Sequence, residues 1–93
     1  MTLQEFKNTV SASTPPAVSP LLQAMWYDAK GDWNAAHNIA QDIHTHDGSW
    51  VHGYLHRKEG DESNAAYWYH RANKAFKRNT LSEEWNDIVT ALL

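Results

Sequence analysis

The chain of 93 residues contains no cysteine. Without a thiol it cannot form a disulfide scaffold, a thiolate zinc site or a cysteine nucleophile. It also lacks a run of about 18 apolar residues, the length that a membrane-spanning helix requires. The first ten residues include Glu5 and Lys7 and have no apolar centre, so they do not resemble a secretory signal. These absences favour a cytoplasmic protein.

A charge excess of one sign is also missing, since the net charge is only −3. The basic residues at 71–78 are followed directly by acidic residues at 83–87, which indicates a solvated face with local charge pairing. Nucleic acid and membranes are therefore not expected as partners. The chain has no nucleophile-elbow motif and no glycine-rich phosphate loop. We expect neither an enzyme nor a cofactor.

What the chain does contain is an internal repeat. Residues 21–32 return as residues 50–61, an offset of 29, with large apolar, small apolar and Gly-Asp positions in step. In each copy the glycine predicts the end of one helix, and the aspartate predicts the N-cap of the next. Ser19-Pro20 predicts the start of the first of these helices. The repeat therefore predicts an all-α fold built on two helical hairpins.

Two capping boxes, Thr2–Glu5 and Thr80–Glu83, predict a further helix at each end of the chain. The predicted segments are an N-terminal helix at 1–12, a Pro-rich linker at 13–20, and a single helical-repeat domain at 21–93 that ends in a capping helix at 81–93. Two repeat units are fewer than the roughly three that usually bury a continuous core. We therefore expect either tight closure by the helix that carries Trp85 or self-association.

The sequence also predicts the loop, the caps and the apolar faces of the later helices. His44–Gly48 is predicted as a loop and Ser49 as the following N-cap. The apolar stripe of the fourth repeat helix is predicted to include Ala65, Trp68, Tyr69, Ala72, Ala75 and Phe76. Asn79 is its predicted C-cap. The last helix is predicted to present one apolar face, at Leu81, Trp85, Ile88 and Leu92, and one acidic solvent face, at Glu83, Glu84 and Asp87.

The Gly-Asp turn followed by alanine and aromatic positions resembles the tetratricopeptide repeat. The matching positions are Ala24, Tyr27, Gly31-Asp32 and Ala36 in the first unit, and Gly53, Gly60-Asp61, Ala65, Tyr69 and Ala72 in the second. The likeness covers a little over half of the chain. It departs from the family in its shorter period, which is about 34 residues in the family, and in His52 and His56, which stand where the family usually has leucine and tyrosine. The chain also resembles a set of small bacterial proteins with no known activity.

This resemblance implies a fold in which the first helix of each hairpin lines a concave groove. The residues implied to bind a partner there are Met25, Trp50, Tyr54, Arg57 and Lys58, with Leu21 beside them. An aromatic pair next to two cations is suited to an extended peptide or a carboxylate terminus. The alternative is that the aromatic residues form the core between hairpins. The first functional hypothesis is a protein–protein interaction module that binds a peptide or a second copy of itself.

The histidines support a second hypothesis. The chain has six, and four of them fall within 13 positions: His44, His46, His52 and His56. His52 and His56 lie four residues apart on one helix face, a spacing that can chelate a metal ion, and the other two are candidate further ligands. Helical periodicity predicts a partly exposed strip here, whereas the repeat register predicts interior imidazoles bonded between helices. The alternative function is therefore a histidine-based metal-binding or pH-responsive protein.

Overall fold

The structure, a computed structural model, describes residues 1–93 and consists of helices and their connections. The helices are α1 Leu3–Thr9, α2 Pro20–Ala29, α3 Trp33–Ala40, α4 His46–Lys58, α5 Glu62–Arg71 and α6 Leu81–Leu92. The predicted all-α class is therefore confirmed. No helix combines the length and apolar character that a membrane crossing would require.

The Gly-Asp pairs act in both repeats as the sequence predicts. Gly31 and Gly60 end α2 and α4 with φ angles of +84° and +89°, a left-handed conformation that glycine adopts without a Cβ clash. The next residue then begins the following helix, because the side chains of Asp32 and Asp61 accept hydrogen bonds from the first turns of α3 and α5. Each pair thus reverses the chain within a few residues and produces a helical hairpin.

The start of α4 differs from the prediction. The N-cap is Thr45, whose hydroxyl accepts from Gly48 N, and His46 is the first helical residue. Gly48 permits this early start because a Cβ there would lie 1.9 Å from the carbonyl oxygen of Ile43. Ser49, the predicted cap, is instead buried inside the helix.

The end of α5 also differs. The helix stops at Arg71, and Asn73 adopts a left-handed φ of 58°. Asparagine tolerates this conformation better than most residues. The stripe predicted to continue through Ala75 and Phe76 therefore leaves the helix, and Asn79 is not its C-cap.

The helices pack as two hairpins covered by the chain's own termini. α2 pairs with α3, α4 pairs with α5, and α3 contacts α4. α6 lies across both α2 and α4, and α1 packs on α6. Phe6 on α1 is fully buried, with its ring centroid 5.9 Å from that of Trp85. The N-terminal helix is therefore part of the core, and its docking adds apolar burial that two hairpins alone would not supply.

Candidate metal centre

The groove implied by the family resemblance is occupied by α6. Its floor is the face shared by α2 and α4, but Met25 and Tyr54 on that face are buried. Trp85 Nε1 donates to Met25 O at 3.1 Å, and Trp50 Nε1 donates to Glu84 Oε2 at 3.2 Å. The prediction of an exposed groove is therefore corrected. The chain covers this apolar face itself, because two short hairpins leave it unprotected.

The two cations of the predicted groove are neutralised within the chain. Arg57 Nη1 lies 2.8 Å from Glu84 Oε1, and the same guanidinium donates to the carbonyl oxygen of Asn79. Lys58 Nζ lies 2.9 Å from Asp28 Oδ1. Neither side chain is left to pair with the carboxylate of an external peptide.

Glu84 is the largest departure from the predicted acidic face of α6, since it is only 7% exposed. Its carboxylate accepts from the Tyr69 hydroxyl at 2.7 and 2.8 Å, in addition to its bonds with Trp50 and Arg57. Burial and this hydrogen bond raise the pKa of Tyr69 above its ordinary value. Every acceptor in this Glu84 cluster meets a donor, which is the arrangement of a structural polar network.

Three histidines form a different kind of cluster. His37, His52 and His56 each offer one ring nitrogen, and these nitrogens all lie within 4.8 Å of one another. His37 Nε2 and His52 Nε2 are 3.0 Å apart. The two histidines of α4 are interior, with His52 7% and His56 8% exposed. The interior position predicted from the repeat register is therefore correct, and the partly exposed strip predicted from helical periodicity is wrong. We call this set the histidine cluster.

Tertiary pairing adds His37, which the sequence analysis did not select. α3 and α4 are antiparallel neighbours, and their residues pair about a point between positions 44 and 45, at the end of the loop at 41–45. His37 thereby meets His52, and Trp33 meets His56 with ring centroids 5.8 Å apart. Counting outward from the middle of the predicted loop at 44–48 would have paired His52 with Ala40, so this partner required the structure.

Two indole rings enclose the histidine cluster. Trp33 stacks on His37 at a centroid distance of 4.7 Å, and Trp68 stacks on His52 at 4.0 Å. Trp33 is itself held by a hydrogen bond from Nε1 to the carbonyl oxygen of Leu55, at 2.8 Å. The indoles fix the orientation of the imidazoles and shield them from water, as the surroundings of metal-binding histidines commonly do.

Burial favours the neutral form of His37 and His52. Desolvation, followed by repulsion from His37 and His56, lowers the pKa of His52 to about 4. Burial and then His56 also lower the pKa of His37, which Glu59 partly offsets. A neutral imidazole has a free lone pair, which is the form that binds metal ions. The close contact between the two Nε2 atoms needs one proton between two bases, and a metal ion can replace that proton.

An acidic side chain stands beside the histidine cluster. Glu59 Oε1 lies 2.7 Å from His56 Nδ1. Carboxylates in this position orient a ligating imidazole and increase its basicity. Glu59 thus supplies both an orienting contact and a negative charge that would favour a bound cation.

The structure does not bring His44 and His46 to the histidine cluster. Both are exposed at the start of α4 and line a separate cleft with Arg71. A helix rises about 1.5 Å per residue, which places His46 about 9 Å along the axis from His52. Their prediction as further metal ligands is therefore corrected.

Comparisons with protein-family models, with curated proteins and with solved structures found no match to this chain. The resemblance to the tetratricopeptide repeat stays a prediction.

Proposed function

We propose that this protein binds one divalent transition-metal ion, with zinc as the best-suited ion, through His37, His52 and His56. The observation that carries the proposal is the convergence of three histidine ring nitrogens within 4.8 Å. Imidazole nitrogen suits zinc, copper and nickel, and three protein ligands with one open position are a known zinc arrangement. The proposal corresponds to the second of the two functional hypotheses from the sequence.

The distances are close to those of a metal-bound state. With zinc–nitrogen bonds of about 2.0–2.1 Å, tetrahedral coordination separates ligand nitrogens by about 3.4 Å. His37 Nε2 and His52 Nε2, now 3.0 Å apart, would separate by a few tenths of an ångström. The third nitrogen would move inward. Rotation of the imidazoles within their stacks can supply such shifts without moving a helix.

The protein–protein interaction module remains a prediction. Its implied groove residues, Met25, Trp50 and Tyr54, are buried under α6. A partner would therefore have to bind elsewhere or displace α6. The metal proposal needs neither change, and for this reason it has the better geometric support.

Calorimetric titration of the metal-free protein with zinc and with nickel tests the proposal. We expect one ion per chain for the unaltered protein. His52→Asn should weaken binding by more than the roughly 10–100-fold contributed by partners outside the ligand shell. His70→Ala is the matched control, because His70 is exposed on α5 and belongs to no part of the histidine cluster. Absence of binding, or equal weakening in both variants, would overturn the proposal.

Thermal unfolding gives an independent measurement. A ligand that binds only the folded state stabilises it by about 2.7 kcal/mol when its free concentration is a hundredfold above Kd. Zinc should therefore raise the midpoint of unfolding, a chelator should reverse the rise, and the effect should be absent in His52→Asn. A midpoint that zinc leaves unchanged would count against a folded-state site.

A further inference from the structure

A second polar site lies at the start of α4, and none of its lining residues belongs to the histidine cluster. It is a cleft of about 410 Å³ lined by His44, Thr45, His46, Ser49 and Arg71, without an apolar side chain. Most surface depressions of this protein mix apolar and polar walls, so an entirely polar lining is unusual here. No carboxylate lines this cleft, which makes it rich in groups that donate hydrogen bonds.

Ser49 is the first group that indicates a ligand. Its side chain is buried, with the residue only 6% exposed, yet its hydroxyl has no hydrogen-bond partner within the chain. Every fully enclosed polar side-chain atom of the protein does have such a partner. The Ser49 hydroxyl must therefore be reached from the cleft that it lines, where an external acceptor can satisfy it.

Arg71 is the second group that indicates a ligand. It forms no ion pair, unlike Arg57, Lys58 and Arg78. Its Nη1 donates to the Tyr67 hydroxyl at 3.1 Å, and its guanidinium carbon lies 5.4 Å from the Trp68 ring centroid. These contacts hold the guanidinium at the cleft and leave most of its five N–H donors without an acceptor.

The first turn of α4 is the third group that indicates a ligand. The helix is 13 residues long, and Thr45 caps it by accepting from Gly48 N at 3.0 Å. The preceding amides, at His46 and Asp47, have no intrahelical acceptor, and the helix dipole adds positive potential at this end. The Asp47 carboxylate belongs to another groove, beside Leu92, and does not line the cleft.

We propose that this cleft binds a tetrahedral oxyanion, namely the phosphate group of a small molecule. Arg71 would supply the charge-assisted donors, the Ser49 hydroxyl would supply one further donor, and the first turn of α4 would supply amides. A phosphate group carries close to two negative charges and three acceptor oxygens, which matches a set of convergent donors better than a planar carboxylate does. The proposal does not depend on a metal ion.

The surroundings indicate where the rest of the molecule would lie. Ser49, His44 and Arg71 also line an adjoining cleft of about 160 Å³, whose other walls include Trp68 and His52. The organic part of the phosphate compound would enter this adjoining cleft. Trp68 offers it an aromatic surface between the two sites.

The test is a titration of the metal-free protein with inorganic phosphate at constant ionic strength, in which NMR records the amide chemical shifts at each step. We expect saturable shifts centred on 45–49, and binding at least about tenfold weaker in Arg71→Gln and in Ser49→Ala. Arg78→Gln is the matched control, since Arg78 is an exposed arginine that already pairs with Glu62. A chelator is kept in the sample, so that the result does not depend on whether the zinc proposal is correct.

Three results would overturn the phosphate proposal. They are shifts that follow ionic strength alone, equal binding of acetate and phosphate, and equal losses in Arg71→Gln and Arg78→Gln. Circular dichroism of each variant checks that the helices are retained. If Ser49→Ala unfolds the chain, Arg71→Gln alone decides, because Arg71 is exposed and its replacement removes little packing.

Discussion

Helix α4 buries polar side chains on two of its faces, and the two faces differ in kind. Towards α2 and α6, Trp50 and Arg57 meet Glu84, so that donors surround a carboxylate. Towards α3 and α5, His52 and His56 meet His37, so that bases surround a base. The first cluster is complete within the chain. The second brings together three ring nitrogens, each of which can act as a metal ligand.

The two clusters differ in whether their members complement one another. Burial of a polar group is costly unless a complementary group satisfies it. The Glu84 cluster meets that requirement and needs no ligand to explain it. The histidine cluster places like groups in contact, and burial followed by the neighbouring His37 and His56 lowers the pKa of His52 to about 4. A set of like groups held together by stacking indoles is the stronger indication of a binding site.

The largest expected effect concerns the Glu84 cluster. Glu84→Ala would leave the hydroxyl of Tyr69 buried without its acceptor and would remove the charged partner of Arg57. We expect a loss of about 3–5 kcal/mol in the free energy of unfolding, measured by urea denaturation. Glu62→Ala is the control, because its pair with Arg78 is exposed and should contribute less than about 1 kcal/mol. Similar losses in both variants would mean that the Glu84 cluster is not the structural network described.

The next expected effect is a dependence of the free energy of unfolding on pH, caused by the histidine cluster. The pKa of His52 falls from an ordinary 6.5 to about 4 in the folded chain. Between about pH 6.5 and pH 4, His52 is therefore protonated in the unfolded chain but not in the folded chain. The free energy of unfolding should decrease as the pH falls from about 6.5 to about 4, by up to about 3 kcal/mol from His52.

Urea denaturation at several pH values between 7 and 4 measures this dependence. His52→Asn should flatten the curve within that window, whereas His70→Ala should not. A stability that stays constant from pH 7 to 4, or one that His52→Asn leaves equally steep, would contradict the account of the histidine cluster.

A smaller effect is expected from the removal of a single donor to Glu84. Tyr69→Phe deletes the hydroxyl that lies 2.7 and 2.8 Å from the two carboxylate oxygens. Hydrogen bonds to charged groups contribute about 1.5–3 kcal/mol, so we expect a loss of that size in urea denaturation. Tyr67→Phe is the control, because that tyrosine is exposed. A neutral Tyr69→Phe would indicate that Glu84 is satisfied by Arg57 and Trp50 alone.

The smallest expected effect on stability comes from His37→Gln. The amide can still donate to or accept from His52, and one of the crowded imidazoles is gone. Without metal, the free energy of unfolding should change by less than about 1 kcal/mol. The same variant should lose most of its zinc binding in the calorimeter. A variant that is strongly destabilised yet binds zinc normally would reverse the roles assigned to the two clusters.

The local features of the fold were accessible from the sequence, because each depends on neighbouring residues. Both capping boxes and the turns at Gly31 and Gly60 appear where they were predicted. The start of α4 was missed because it depends on the close approach of Gly48 to Ile43. The end of α5 was missed because a left-handed asparagine at 73 left no distinctive signal.

The partners across helices were less accessible. Periodicity placed Glu84 on a solvent face, and only the position of α6 across α2 and α4 explains its burial. His52 and His56 were found from their spacing on one helix, whereas His37 required knowledge of which helices touch. His44 and His46 were included because they are near in sequence, although neither contributes to the three converging ring nitrogens.

The most direct test of the metal centre is to follow the imidazole resonances of all six histidines by NMR while zinc is added to the metal-free protein. The account predicts that the resonances of His37, His52 and His56 change together and saturate at one ion per chain, while those of His44, His46 and His70 stay unchanged. If zinc instead shifts the exposed histidines, or shifts all six alike, the histidine cluster is not the metal site.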